Sequence, residues 1–297
     1  MLGWRLLISA VLIPLLLVLF RWDASIGDRA PVLLLICIGL SIRCCFELTQ
    51  LLRTRAMQPS FGLTSAICVL TILAAWNHVR MPPVAGINGL LISVGWIGAA
   101  LTAGFLVLMI YEAVRFVQPG HAMESLGANA VTILFCGGLV ALTAQFRWFP
   151  TPQIGYFAIG SMIIAVKSGD IGAYSFGRLW GKRKLIPRLS PGKTWMGAVG
   201  AIVGSSLGGW LWLTFGGALF DEKPSAGSLL VVLGYGATMG LVGLIGDLCE
   251  SLIKRDVGQK DSAALMPGFG GLLDLLDSVL FASPFALAWW ARLPPAG

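Results

Sequence analysis

Apolar runs of membrane-spanning length recur along almost the whole of this sequence. A helix of about 17 to 25 apolar residues crosses the hydrocarbon core of a bilayer, so each run is a candidate transmembrane helix. We count nine runs: 3–20, 31–51, 61–77, 88–114, 127–146, 154–176, 195–219, 227–250 and 271–291. The pattern predicts an all-α, polytopic integral membrane protein with about nine transmembrane helices.

The composition agrees with this fold class and argues against several others. Of the 297 residues, 57% are hydrophobic and only 12% are charged, whereas soluble chains carry about 25% charged residues. No polar stretch is long enough for a soluble domain, so we expect one membrane domain, with N-terminal helices in 1–150 and a C-terminal helical region, in which the candidate site described below lies, in 151–297. The six cysteines form no CxxC pair, and they are expected to be small apolar residues within helices. The net charge of +7 reflects loop lysines and arginines and does not indicate a nucleic acid partner.

The distribution of basic residues predicts the orientation in the membrane. The loop 178–193 holds six basic residues and no acid, which is typical of a cytoplasmic loop. Counting spans backwards also places the loops 52–60 and 115–126 in the cytoplasm, and counting forwards does the same for 254–261. Nine spans with a cytoplasmic N-terminus satisfy every loop.

Acidic residues cluster late in the chain, next to segments apolar enough for lipid. Asp247, Glu250, Ser251 and Lys254 follow the spacing i, i+3, i+4 and i+7, so they share one helix face. Ionised carboxylates at membrane depth are expensive and mark functional sites.

A second acidic face follows on the next span. Asp274, Asp277 and Ser278 share it, and the turn PGFGG at 267–271 lies between the two faces. We therefore expect the two carboxylate faces to meet at the cytoplasmic ends of adjacent helices.

Converging carboxylates need a compensating cation, and hard oxygen ligands suit Mg²⁺. The surrounding lysines and arginines suit phosphate oxygens, so the cluster indicates phosphoryl or nucleotidyl transfer.

Other polar residues have simpler interpretations. Single charges such as Lys167, Arg178 and Arg292 are typical of interfacial anchors, and the glycine-rich segment 197–209 is typical of a helix-packing face. The SPGKT segment at 190–194 lacks the upstream glycine of a Walker loop. It is expected to be a cytoplasmic turn with Thr194 as a helix N-cap.

Two motifs together resemble those of the phosphatidate cytidylyltransferases, or CDP-diacylglycerol synthases. The first comprises Gly246, Asp247, Leu248, Glu250, Ser251, Lys254, Arg255, Lys260, Asp261, Pro267, Gly270, Gly271, Asp274 and Asp277. The second comprises Asp170, Ala173, Tyr174, Gly177, Arg178, Gly181, Lys182, Ser190, Pro191, Lys193, Thr194 and Trp195. The two motifs cover about 110 residues in the family's order, and the hydrophobic layout resembles the family over the whole chain.

The resemblance implies transfer of CMP from CTP to phosphatidate, which gives CDP-diacylglycerol and pyrophosphate in phospholipid biosynthesis. It implies Mg²⁺ as the cofactor, and it leaves a second, monovalent cation and a homodimer open. The expected metal ligands are Asp247, Asp274 and Asp277. The expected catalytic residues are Asp247, Asp274, Lys254, Lys260 and Asp261. The expected substrate-binding residues are Asp170, Tyr174, Arg178, Ser190, Lys193, Thr194, Ser251 and Arg255.

The resemblance also implies a bacterial-type inner (plasma) membrane location, with the site facing the cytoplasm. Membrane lipid is then an expected partner besides phosphatidate and CTP.

Three positions depart from the family pattern. Phe269, Leu275 and Met196 stand where the family has His, Arg and Glu. The expected metal-binding carboxylates and phosphate-binding cations are retained, so we interpret the chain as a divergent, working enzyme.

Three alternatives remain at this stage. A CTP-dependent lipid kinase of the dolichol or phytol type would transfer the γ-phosphate to an alcohol. A non-catalytic relative would bind lipid or a partner without metal-dependent CTP binding. A transporter is expected to show broken helices, which this sequence does not suggest.

Overall fold

The chain folds as a set of long helices with one small hairpin. The computed structural model describes residues 2–54, 57–77, 86–117, 119–149, 151, 154–220, 227–263 and 270–296, with side chains from residue 14 onwards except at 86. The helices in this part of the chain are α1 (Leu2–Ile26), α2 (Pro31–Arg53), α3 (Phe61–Ala75), α4 (Gly86–Val114), α5 (Ala122–Thr132), α6 (Leu139–Ala144), α7 (Gly155–Trp180), α8 (Trp195–Phe215), α9 (Leu229–Asp256) and α10 (Leu272–Arg292). Strands β1 (Lys184–Ile186) and β2 (Ser190–Thr194) pair antiparallel.

The helices confirm the predicted fold class at the level of architecture. A π-helical segment, Ile133–Gly138, joins α5 to α6, so each of the nine predicted runs coincides with a helical stretch. Within the described residues, six stretches are long and apolar enough to cross a membrane: Pro31–Arg53, Ile87–Val114, Ala122–Arg147, Trp195–Leu219, Leu229–Asp256 and Leu272–Arg292. The protein is therefore all-α, apart from the hairpin, and polytopic. The count of nine spans and the cytoplasmic N-terminus stay predictions.

Two compact units make up the chain. The first contains Met1–Gln145 together with Asp256–Leu275, and the second contains Phe146–Arg255 together with Leu276–Gly297. The described residues 256–263 and 270–275 thus belong with the N-terminal helices, although they lie far along the sequence. The sequence analysis divided the chain at residue 150 into N-terminal helices and a C-terminal region that holds the candidate site. That functional division stays a prediction.

The first unit buries apolar side chains from α2, α3, α4 and the π-helical segment. Leu48, Ile72 and Leu108 are fully buried, and Ile133 is nearly so. Close packing here depends on a small residue, because a Cβ at Gly137 would lie 3.0 Å from the Cα of Cys68.

In the second unit, α7 and α8 approach closely along glycines. A Cβ at Gly172 would collide with the carbonyl oxygen of Gly200, and a Cβ at Gly204 would collide with that of Ser168. The glycine-rich segment 197–209 is therefore a helix-packing face, as the sequence indicated.

Candidate active site

Three carboxylates converge in the second unit. One oxygen from each of Asp247, Glu250 and Asp277 lies within 4.8 Å of the other two. Glu250 and Asp277 are buried, whereas the side chain of Asp247 remains 41% exposed. We call these residues the acid trio.

Local sequence explains how the acid trio forms. Asp247 and Glu250 are three residues apart on α9, so their side chains project from the same face. Gly246 lets α10 approach that face, because a Cβ there would meet the Cβ of Phe281 at 2.7 Å and the Cα of Ser278 at 3.2 Å. Asp277, next to Ser278, is thereby brought beside the α9 acids.

Two lysines offset part of the charge of the acid trio. Lys193 Nζ lies 2.8 Å from Asp247 Oδ2, and Lys254 Nζ donates a hydrogen bond to Glu250 Oε2. Asp277 receives a 3.0 Å hydrogen bond from the hydroxyl of Ser278. Lys167 also interacts electrostatically with Asp277, and the three carboxylates together form a group of oxygen donors in a largely buried place. Such a group of hard oxygen donors fits a divalent cation such as Mg²⁺.

The hairpin and the start of α8 hold Lys193 in position. Lys193 lies on β2, and its ammonium also donates to the carbonyl oxygen of Leu244 at 3.4 Å. The next residue, Thr194, is the N-cap of α8, because its hydroxyl accepts a 3.0 Å hydrogen bond from the amide of Gly197. The SPGKT segment therefore forms a strand instead of the predicted turn, whereas the helix cap predicted at Thr194 is confirmed.

Asp274 lies in the first unit, in the first turn of α10. Its carboxylate accepts hydrogen bonds from the amide of Gly271 at 2.7 Å and from the amide and hydroxyl of Ser262 at 3.0 and 2.9 Å. The bond from Gly271 is that of a capping-box acid, which satisfies an amide at a helix start. The structure thus gives Asp274 a capping role, and its metal-binding role stays a prediction.

Glu47 is a functional candidate that the sequence reasoning missed. Its buried carboxylate accepts hydrogen bonds from the amides of Leu272 and Leu273, at 3.1 and 2.9 Å, and from the hydroxyl of Ser262 at 3.2 Å. Arg43 pairs with it at 2.9 Å. The available signal was an acid in the middle of an apolar run, four residues after an arginine.

A polar strip lies on α7. Lys167 Nζ and Asp170 Oδ2 are 3.1 Å apart, with side chains 32% and 43% exposed. Arg178 donates a 2.9 Å hydrogen bond to the hydroxyl of Tyr174, which is 64% exposed. Asp170, Tyr174 and Arg178 therefore follow one another along one exposed helix face.

The remaining predicted residues divide between the two units. In the second unit, Ser251 donates a 3.5 Å hydrogen bond to Asp247, Arg255 donates to the carbonyl of Leu189 at 3.4 Å, and Ser190 begins β2. In the first unit, Lys260 and Asp261 are exposed.

The three departures from the family pattern have separate outcomes. Phe269 lies outside the described residues. Leu275 is half-buried in the first turn of α10, and Met196 is half-buried in the first turn of α8.

Of the three predicted metal ligands, Asp247 and Asp277 lie together, with Glu250 as the third member of the trio. Glu250 was part of the recognised motif but was not predicted as a ligand.

Comparison with known proteins identifies the family. A sequence profile of the cytidylyltransferase family matches residues 4–291. The chain belongs to the cytidylyltransferase family. The predicted family membership is thereby confirmed, and the match covers both recognised motifs.

Curated relatives of this chain carry a more specific name. A phosphatidate cytidylyltransferase of Haemophilus influenzae is 34% identical over 65% of this chain and 65% of its own length, so the chain spans less than two-thirds of that relative. Phosphatidate cytidylyltransferases of Pseudomonas aeruginosa and Brucella suis are 35% and 31% identical. These two alignments cover 80% and 93% of this chain, and 82% and 89% of the relatives.

Proposed function

We propose that this protein transfers the cytidylyl group of CTP to phosphatidate, giving CDP-diacylglycerol and pyrophosphate. The observation that carries the proposal is the acid trio with its two paired lysines, found in a membrane protein of the cytidylyltransferase family. A CTP-dependent lipid kinase is not favoured, because the three relatives above are named phosphatidate cytidylyltransferases.

The chemistry requires positive charge more than a general base. An oxygen of the phosphatidate phosphate forms a bond to the α-phosphorus of CTP, and the bond from that phosphorus to the bridging oxygen breaks to release pyrophosphate. The attacking phosphate monoester has a second pKa of about 6 and is already anionic near neutral pH. Cations that stabilise the α-phosphate and the leaving pyrophosphate are therefore the main requirement.

The residues of the second unit can supply that charge. We propose that Asp247, Glu250 and Asp277 hold Mg²⁺, which would supply Lewis-acid stabilisation of phosphate oxygens when bound. Lys193, on the hairpin, lies beside the trio and would orient a phosphate group. The roles of Asp274, Lys260 and Asp261 as catalytic residues, and of Asp170, Tyr174, Arg178 and Arg255 in substrate binding, remain part of this proposal.

We also propose the setting of the reaction. The basic loop 178–193 favours a cytoplasmic location for the site, and the bacterial relatives favour the inner membrane. A site near a membrane face would let a lipid headgroup react while its acyl chains stay in the bilayer.

The direct test is an assay of the purified full chain with phosphatidate, Mg²⁺ and CTP labelled at the α-phosphate. We expect label to enter the lipid phase, and we expect EDTA or Asp247→Asn to lower the rate at least about 100-fold, as for loss of a metal ligand or an electrostatic stabiliser. Glu124→Gln, which removes an exposed acid from the first unit, is the matched control and should keep the wild-type rate.

Two outcomes would contradict the proposal in different ways. Near-normal transfer by Asp247→Asn would contradict the proposal that Asp247 binds the metal ion. Absence of transfer by a protein that still binds CTP would contradict the proposed cytidylyl transfer. An assay with a polyprenol and CTP labelled at the γ-phosphate would then test for lipid kinase activity.

A further inference from the structure

A polar cavity in the first unit lies among the ends of several helices. It has a volume of about 370 Å³, within the range of small-ligand sites, and its lining includes Arg53, Gln58, Ser60, Tyr111 and Arg115. A second cavity of about 250 Å³ shares Gln58 and Arg115 with it. No residue of the acid trio lines either cavity.

The segment after α2 and the segment after α4 build this cavity together. The amide of Gln58 donates to the hydroxyl of Ser125 at 3.3 Å, and the amide of Ser60 donates to Asn129 Oδ1 at 3.0 Å. These bonds tie residues 57–60 to α5. Both segments are predicted to be cytoplasmic, and their contact agrees with a location on one membrane face.

Two guanidinium groups give the cavity its charge. Arg53 donates through Nε and Nη2 to the carbonyl of Pro59, at 3.3 and 3.1 Å, and Arg115 donates through Nη1 to the hydroxyl of Tyr111 at 2.6 Å. Within the described part of the chain, neither arginine has a carboxylate within ion-pair distance. Both groups keep N–H donors in a planar fork, the geometry that binds phosphate oxygens.

We infer that this cavity binds a phosphate group, and that the phosphate belongs to the headgroup of an anionic phospholipid. Arg53 ends one candidate membrane span and Arg115 follows another, so the cavity lies at the depth where headgroups are found. The adjoining turns of α4 expose Ile110 and Val114, with 64% and 81% of their surface accessible. This apolar surface suits the acyl chains of a lipid whose phosphate occupies the cavity.

The test measures retention of dioleoylphosphatidylglycerol by the delipidated full chain in detergent, using native mass spectrometry. This lipid is not a substrate of the proposed reaction, so the result is independent of whether cytidylyl transfer is observed. We expect Arg53→Gln/Arg115→Gln to weaken binding about 10-fold or more, because two charge-assisted contacts are lost. Arg292→Gln removes an exposed arginine that lines neither cavity, and it should bind as the wild type does.

Competition identifies the source of the phosphate. Retention that survives millimolar inorganic phosphate assigns the cavity to a lipid headgroup, whereas full displacement assigns it to a free phosphate. Equal lipid binding by wild type and double variant would overturn the proposal.

If the double variant does not fold, Tyr111→Phe carries the test. It keeps both charges and removes the hydroxyl that orients Arg115, so it should weaken binding about threefold. Unchanged binding in Tyr111→Phe would then overturn the proposal.

Discussion

Nearby lysines, among them Lys193 and Lys254, help three acids to lie together in a largely buried place. Lys254 and Glu250 are four residues apart on α9. Both residues are buried, so the pair is well removed from solvent. Such a pair is held by local helix spacing, but removing one partner leaves a buried charge without compensation. The lysine is therefore structural as well as a candidate for phosphate binding.

Lys254→Met should lower the free energy of unfolding by about 3 to 5 kcal/mol, because the carboxylate of Glu250 would lose its lysine partner. Glu250→Gln in the same background should recover part of this loss. Thermal unfolding of the two single variants and the double variant in one detergent measures the coupling. Additive effects would show that the two side chains do not stabilise each other.

Variants of Glu250 and Asp274 can distinguish which of the two carboxylates binds the metal ion. If the acid trio binds the metal, Glu250→Gln should raise the Mg²⁺ concentration needed for half-maximal activity about 10-fold or more. Asp274→Asn should leave that concentration nearly unchanged while lowering folding stability, because the structure gives it a capping role. The opposite ranking of the two variants would favour Asp274 over Glu250 as a metal ligand.

At the level of elements, the start of α10 is held by one side chain on the helix itself and by one that is distant in sequence. The first amides of a helix have no partner within it, and here the carboxylates of Glu47 and Asp274 accept from the amides of Gly271, Leu272 and Leu273. Glu47 therefore positions the first turn of α10.

Glu47→Gln should speed amide hydrogen exchange at Leu272 and Leu273 about 10-fold, because a neutral amide oxygen accepts these bonds less strongly than a carboxylate. Glu124→Gln, on the exposed face of α5, should leave exchange there unchanged. Exchange followed by mass spectrometry on peptides covering 270–276 makes the comparison. Equal protection of the Leu272 and Leu273 amides in Glu47→Gln and Glu124→Gln would show that Glu47 does not position the start of α10.

Sequence and structure agree best where the physics is local. The apolar runs predicted the helices, and the spacing of Asp247 and Glu250 predicted their shared face, because helix periodicity depends only on near neighbours. The partner of Leu272 and Leu273 could not be predicted in this way. Glu47 lies more than 200 positions away, so its role depends on tertiary packing.

The hairpin shows the same limit at a shorter range. The basic loop was predicted as a cytoplasmic loop from its charge, and it contains a pair of short strands that charge alone does not indicate. The pairing brings Lys193 to a defined place on β2, which explains how a loop residue can meet Asp247.

At the level of the whole molecule, the basic hairpin can report the orientation of the chain in the membrane. The basic hairpin is exposed at Lys184 and Arg188 and offers trypsin sites. We expect trypsin to cut between 178 and 193 in inside-out vesicles but not in right-side-out vesicles, because the loop should face the cytoplasm. Cleavage only in right-side-out vesicles would invert the predicted topology.

The pairing of Lys193 with Asp247 has a consequence for how ligands are taken up. The same carboxylate oxygen can serve the lysine or a metal ion, and the lysine can serve the carboxylate or a phosphate. Binding of a metal ion to the carboxylate therefore changes the free energy of phosphate binding to the lysine. Thermodynamic linkage makes this effect reciprocal. The affinity for nucleotide should rise with metal concentration by the same factor by which the affinity for metal rises with nucleotide, and Lys193→Met should weaken this cooperativity.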